Sequence, residues 1–134
     1  MSVLQTGIEA ARHHAEIAEV LADFFDGLYT CDSDQLGRVF HPAALYATAL
    51  DGAVLARTMD IYLPIVAARE SGASRGDARD EQVLSIDVVA PTVATAVVAS
   101  TMAGLAYVDA LTLVRVDDRW QVIAKVFHAS DQAA

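Results

Sequence analysis

The stretch YVDALTLVRVDDRWQVIAKVFH, residues 107–128, limits the fold more than any other part of the chain. Two runs of alternating apolar and polar residues flank Asp117-Asp118, and alternation at a period of two marks half-buried strands. Two residues between such runs suit a tight turn, so the stretch predicts a β-hairpin. Pairing Val116 with Arg119 sets Arg115 opposite Trp120, Leu113 opposite Val122 and Leu111 opposite Ala124. Further out, Asp109 faces Val126 and Tyr107 faces His128, all on one face of the sheet. That face is apolar in the middle and polar at the far end, the usual composition of a small-molecule pocket.

At 134 residues the chain is read as one domain, 1–134, long enough for a real core. It is 54% hydrophobic with a mean hydropathy of +0.36, yet no stretch approaches the ~18 uncharged apolar residues of a membrane helix. No membrane partner is expected, and the apolar excess points to a subunit interface. A net charge of −9, with eight Arg and one Lys in no cluster, argues against nucleic-acid binding through phosphates. No signal-peptide layout opens the chain and Cys31 is the one cysteine, so a cytoplasmic location is expected. Abundant Ala with no Asn suggests a GC-rich bacterial genome.

Thr6-Gly7-Ile8-Glu9 fits a capping box. Ile17, Leu21, Phe24, Phe25 and Leu28 then recur at helical spacing, predicting an amphipathic helix to about Leu28. His13 and His14 point about 100° apart on it, so they cannot share a metal and are expected in solvent. Ser33 or Asp34 can cap a short second helix through Val39, which His41-Pro42 stops. Leu45–Leu50 and Ala53–Arg57 flank Asp51-Gly52, a type I′ turn signal. Thr58–Glu70 reads as a third helix flawed by Pro64, and Glu70–Arg79 as a flexible loop. Strands Gln82–Ala90 and Val93–Ala103 turn at Pro91-Thr92 and lead into the hairpin. The class is therefore α+β, with helices on one face of a curved antiparallel sheet.

Carrying the register outward sorts the last four strands into two faces. The first carries Ser85, Asp87, Val98, Ser100, Tyr107, Asp109, Leu111, Trp120, Val126 and His128. The second carries Leu84, Ile86, Val97, Val108, Ile123 and Phe127, with Lys125 among its few polar interruptions. A sheet covered on one side should be polar on the other, and this one is not. The second face is expected to pack on a second copy in a two-fold homodimer. A β-bulge would flip the parity beyond it.

The element order resembles the nuclear transport factor 2-like superfamily. Three stretches carry the resemblance: FFDGLYTCDSDQLGRVFHPAA (24–44), YVDALTLVRVDDRW (107–120) and WQVIAKVFH (120–128). The last is similar to the terminal strand of the lumazine-binding-like and polyketide cyclase-like groups. The resemblance implies a cystatin-like cone, a curved antiparallel sheet closed by about three N-terminal helices, and dimerisation through the outer sheet face. It also implies that Val122, Ala124, Val126 and His128 point into the cone. The chain departs from the family pattern at Ala43, Asp118, Ala124 and Val126, where relatives carry an acid, a glycine and pocket histidines.

Asp109 is the sharpest candidate for chemistry: buried, it would titrate high and serve as a general base, or else order the interior by accepting hydrogen bonds. Tyr107 and His128 are its candidate acid–base partners, as in the ketosteroid isomerases that share this fold class. Tyr29, His41, Tyr46, Leu111, Trp120 and Val126 are candidate ligand-binding residues, with packing as the plainer reading of Tyr29, His41, Tyr46 and Trp120. Trp120 opposite Arg115 suggests a cation–π pair or a core tryptophan against the first helix. No zinc motif, phosphate loop or dinucleotide fingerprint occurs, so no metal or cofactor is expected. Three functions follow: a small-molecule-binding protein for a planar organic ligand, a cofactor-free isomerase, cyclase or dehydratase, or a ligand-free dimerisation module.

Overall fold

The computed structural model describes residues 3–131. Helix α1 (Val3–Thr30) buries Ile17, Leu21, Phe24, Phe25 and Leu28 along one stripe. It already contains Thr6, so the expected capping box lies inside the helix and does not start it. Its end is a Schellman turn: Asp32 N–H bonds Gly27 O at 2.9 Å and Cys31 N–H bonds Leu28 O at 3.3 Å, with Cys31 left-handed at φ 52°. Asp32, rather than Ser33 or Asp34, caps α2 (Ser33–Val39) by accepting Gln35 N–H at 3.1 Å. Strand β1 (Phe40–Leu50) follows directly, because Pro42 cannot continue a helix.

The Asp51-Gly52 turn, both residues at positive φ, joins β1 to β2 (Ala53–Thr58). Helix α3 (Met59–Ala67) starts after Thr58 and runs through Pro64. The segment expected as a loop contains one helical turn, α4 (Gly72–Arg75), capped by Ser71. Strands β3 (Gln82–Ala90), β4 (Val93–Met102), β5 (Leu105–Val116) and β6 (Arg119–Asp131) complete the chain as the alternation predicted.

All six strands form one sheet in the order β2-β1-β6-β5-β4-β3. The early hairpin joins β6 in parallel, and every other pairing is antiparallel. This corrects the closed cone: the sheet is open, with β2 and β3 as its two edges. Closure would need those edges to meet. Instead α1 packs on β3 and β6, and α3 on β1 and β2, so helices cover one face of an open sheet. Among the described residues no helix is long and apolar enough to cross a membrane.

The register near the turn is as expected, with Arg115 opposite Trp120 and Leu113 opposite Val122. It then slips, because the next pair is Thr112–Ala124 and Ile123 is an extra residue. Parity flips beyond it. Lys125 and Phe127 turn to the helix-covered face, while Val126 and His128 turn to the outer one. Asp109 therefore pairs with Phe127, and Tyr107 with Ala129. A second bulge at Leu84 puts Ile86 and Val88 inward and Ser85 and Asp87 outward. The expected dimer face thus loses Ile86 and Phe127, which pack on the core, and gains Val126.

Gly27 tests the packing of α1 on α2. A Cβ there would meet Leu36 Cδ2 at 2.8 Å, and Leu36 is fully buried. In an open helix Gly→Ala adds roughly 0.5–1 kcal/mol of stability. Here Gly27→Ala should instead destabilise by about 1–3 kcal/mol through overpacking. Chemical denaturation checks the sign, and Leu36→Ala in the same chain should remove the penalty specific to Gly27→Ala.

Candidate functional site

The interior contains the chain's only lysine. Lys125 Nζ lies 3.6 Å from Asp109 Oδ2, and each residue is 1% exposed. At that distance the contact is ionic rather than a hydrogen bond. Neither carboxylate oxygen of Asp109 has a hydrogen-bond partner among the described residues. Burial raises the Asp109 pKa above the usual carboxylate range, and the Lys125 charge opposes the rise without cancelling it.

Three rings surround the ammonium: Phe127 at 5.2 Å, Phe24 at 5.3 Å and Tyr46 at 5.4 Å from Nζ. Each offers a cation–π contact of order 0.5–2 kcal/mol, replacing part of the lost hydration. Tyr46 stacks on Tyr62 with centroids 4.2 Å apart, and Tyr62 meets Phe40 edge-on. Burial raises the pKa of both tyrosines; Lys125 offsets it at Tyr46 and Arg69 at Tyr62. Both hydroxyls are therefore neutral donors at physiological pH.

At one end of this interior lies a cavity of about 410 Å³. Phe25, Leu28 and Tyr29 of α1 form one wall, Ser100, Met102 and Tyr107 of β4 and β5 another. Val66 and Arg69, at the end of α3, and the α4 segment close the rest. Tyr29 ties α4 down: its hydroxyl donates to Asp77 O at 2.7 Å, and a Cβ on Gly72 would stand 3.2 Å from its ring. Tyr107 connects the cavity to the interior. It lines the cavity, its ring is 5.8 Å from Phe127, and Asp109 is two residues deeper on the same face.

The expected site residues divide into three groups. Tyr29 and Tyr107 line the cavity. Asp109, Tyr46, Leu111 and Trp120 are buried behind it on the same face of the sheet. His41, Val126 and His128 are elsewhere. His41 accepts the Ala43 N–H through Nδ1 at 3.0 Å, where β1 slips past Pro42. Val126 and His128 are exposed on the outer face, so His128 and Asp109 are not brought together. Trp120 packs on the first helix and donates Nε1–H to His13 Nδ1 at 3.3 Å. His13 is accordingly buried, correcting its expected exposure.

Lys125 was missed because alternation without a bulge puts it outside. Its being a lone lysine in an apolar strand is the signal that could have found it. Among the described residues, no group of three or more His, Cys, Asp or Glu could hold a metal ion.

The sequence profile of a family described as "Putative lumazine-binding" matches residues 12–128. No curated protein matches the chain. Several solved structures share its fold. An NTF2-like protein of unknown function from Shewanella baltica has a TM-score of 0.81 at 19% identity, covering 91% of this chain and 97% of that one. A second, from Silicibacter pomeroyi, gives 0.76 at 18%, covering 90% and 98%. A protein from Novosphingobium aromaticivorans described as "Putative Scytalone Dehydratase" gives 0.68 at 16%, covering 96% and 93%.

The raised Asp109 pKa has a sign that can be measured. The folded state holds this proton more tightly than the unfolded state does. The resulting stability is full below the usual carboxylate range and is lost as pH rises through the raised pKa. The stability of the wild type relative to Asp109→Asn should therefore fall as pH rises from about 4 toward neutrality. Lys125→Met should push the Asp109 pKa higher still, read by carboxyl NMR titration. A double Asp109→Leu, Lys125→Met variant should be as stable as the wild type or more stable, by up to about 4 kcal/mol.

Proposed function

Because the chain belongs to the lumazine-binding-like family of nuclear transport factor 2-like proteins, we propose that it binds a small planar organic molecule in the cavity beside Tyr107. The observation that carries this reading is the cavity itself. Its 410 Å³ falls within the roughly 300–1,000 Å³ of small-molecule sites. Phe25, Leu28, Val66 and Met102 supply apolar walls, and Tyr29 and Tyr107 supply flat faces with polar tips. Lumazine, the ligand in the family's name, is one probe to try.

A second reading is a cofactor-free isomerase, cyclase or dehydratase, the last being the activity in the name of the Novosphingobium relative. One observation favours it: Asp109 is buried, high-titrating and without hydrogen bonds, just beyond Tyr107. In this reading Asp109 is the base and Tyr107 the acid; His128, on the outer face, takes no part. Asp109→Asn would abolish turnover of the identified ligand while leaving its affinity nearly intact.

A second copy of the chain is the proposed partner for the outer sheet face. Val108, Val126 and Leu84 expose apolar side chains there, at 47%, 52% and 55% of their surface, with Val97 and Ile123 half-buried among them. Burying such a strip in a two-fold contact removes it from water.

Native mass spectrometry of freshly purified protein tests both proposals. The expected result is a dimer carrying a small extra mass that is lost on denaturation and much reduced in Tyr107→Ala. A dimer without added mass, even after exposure to lumazine and other planar ligands, would favour the ligand-free dimerisation module. Val108→Arg with Val126→Arg should yield a folded monomer by sedimentation; a persistent dimer would remove the outer face from the interface.

A further inference from the structure

The walls of the cavity differ in what it costs to move them. Phe25, Leu28 and Val66 belong to the buried core, and Ser100, Met102 and Tyr107 lie on the paired strands β4 and β5. Displacing either wall would expose core side chains or break the ladder. The remaining wall is the segment 70–81, which contributes Glu70, Gly72, Arg75, Asp77, Ala78 and Glu81. None of its residues is buried.

The segment is braced within itself. Ser71 Oγ accepts the Ser74 N–H at 3.0 Å, Arg75 donates to Asp77 Oδ2 at 2.9 Å and to Glu70 O at 2.8 Å, and Arg79 Nε donates to Glu81 Oε1 at 2.7 Å. Three of its residues, all in its second half, reach the neighbouring elements by polar contacts. Asp77 O accepts the Tyr29 hydroxyl at 2.7 Å, and Arg79 Nη2 donates to Asp26 Oδ1 of α1 at 2.8 Å. Asp80 Oδ1 accepts the Thr101 N–H of β4 at 2.9 Å. The Arg79 guanidinium also lies 4.6 Å over the Tyr29 ring. Exposed contacts of this kind each hold little free energy. A segment that buries no side chain opens far more cheaply than the fold around it.

We propose that residues 70–81 form a lid that lifts from α1 and β4 as a unit to admit and release the ligand, a reading that rests on the cavity being a ligand site. Arg79 and Asp80 are its clasp. Neither lines the cavity, so each acts on the opening and not on the bound molecule. Tyr29 serves both sides: it lines the cavity, and its hydroxyl anchors the lid at Asp77 O. Closure of such a segment over a bound molecule excludes water and slows its release.

Stopped-flow binding of the neutral dye phenylnaphthylamine, paired with hydrogen exchange, tests the proposal. In a double Arg79→Gln, Asp80→Ala variant the amides of residues 72–81 should exchange faster, while those of β5 and β6 keep their wild-type protection. The dissociation rate of the dye should rise by about threefold or more in the same variant, and its association rate should rise with it. If exchange quickens and both dye rates stay at wild-type values, with Tyr107→Ala still weakening the dye, the lid proposal fails and the cavity reading stands. If exchange of the segment is unchanged, the clasp does not hold it and the lid proposal fails in the same way. If the dye does not bind, or binds Tyr107→Ala as it binds the wild type, the cavity reading fails and takes the lid with it.

Discussion

Ile123 interrupts the β5–β6 ladder between the pairs Leu113–Val122 and Thr112–Ala124, and everything after it on the last strand is turned over. Lys125 enters the interior as a consequence, and His128 leaves it. A buried ammonium loses several kcal/mol of hydration, so its surroundings must compensate. The Asp109 carboxylate and the rings of Phe24, Tyr46 and Phe127 do so, and they come from α1, β1, β5 and β6. One inserted residue thereby ties four elements to a single charge. It also explains Asp109, which is desolvated by the same packing that brings Lys125 to it.

The cavity begins where this packing ends. Near Lys125 the space between helices and sheet is filled with aromatic side chains, as the Tyr46–Tyr62 stack illustrates. Toward the β4–β5 turn, Ser100 and Met102 replace large rings, and the α1 end and α4 stand off from the sheet. Tyr29 holds α4 in place through Asp77 O, and the Arg75–Asp77 and Arg79–Asp26 pairs brace the same segment. These pairs are largely exposed, so their contribution to stability is small.

Much of the fold was legible in the sequence. The hairpin at Asp117-Asp118, the Asp51-Gly52 turn and the long first helix follow from period and turn chemistry, which are local. The bulges at Leu84 and Ile123 were not legible, because an extra residue in a strand changes no local pattern. Leu84-Ser85-Ile86 and Ile123-Ala124-Lys125 read as ordinary alternation, and only tertiary packing selects the slipped register. Asp109 and Tyr107 were placed on the correct face because the extra residue is on the other strand, and β5 alternates unbroken past it. His128 and Val126 were placed inside because they follow it. The closed cone came from family resemblance alone; strand pairing at the sheet edges is a long-range property that alternation does not encode.

An aliphatic pair in place of Asp109 and Lys125 would satisfy the same space without the desolvation cost. The polar pair and the unbonded carboxylate oxygens lie next to the path that runs from the cavity past Tyr107 into the interior. Departures from local rules that cluster in this way are the mark of a site shaped by something other than stability. The outer face shows no such cluster: its Val and Thr positions are ordinary strand residues, and its apolar excess calls only for burial. The chain thus divides its two anomalies between its two faces, a buried charge pair on the helix-covered side and apolar groups without cover on the other. In the proposed reading a small molecule would answer the first and a second copy of the chain the second. Neither can answer both, because the sheet itself separates them.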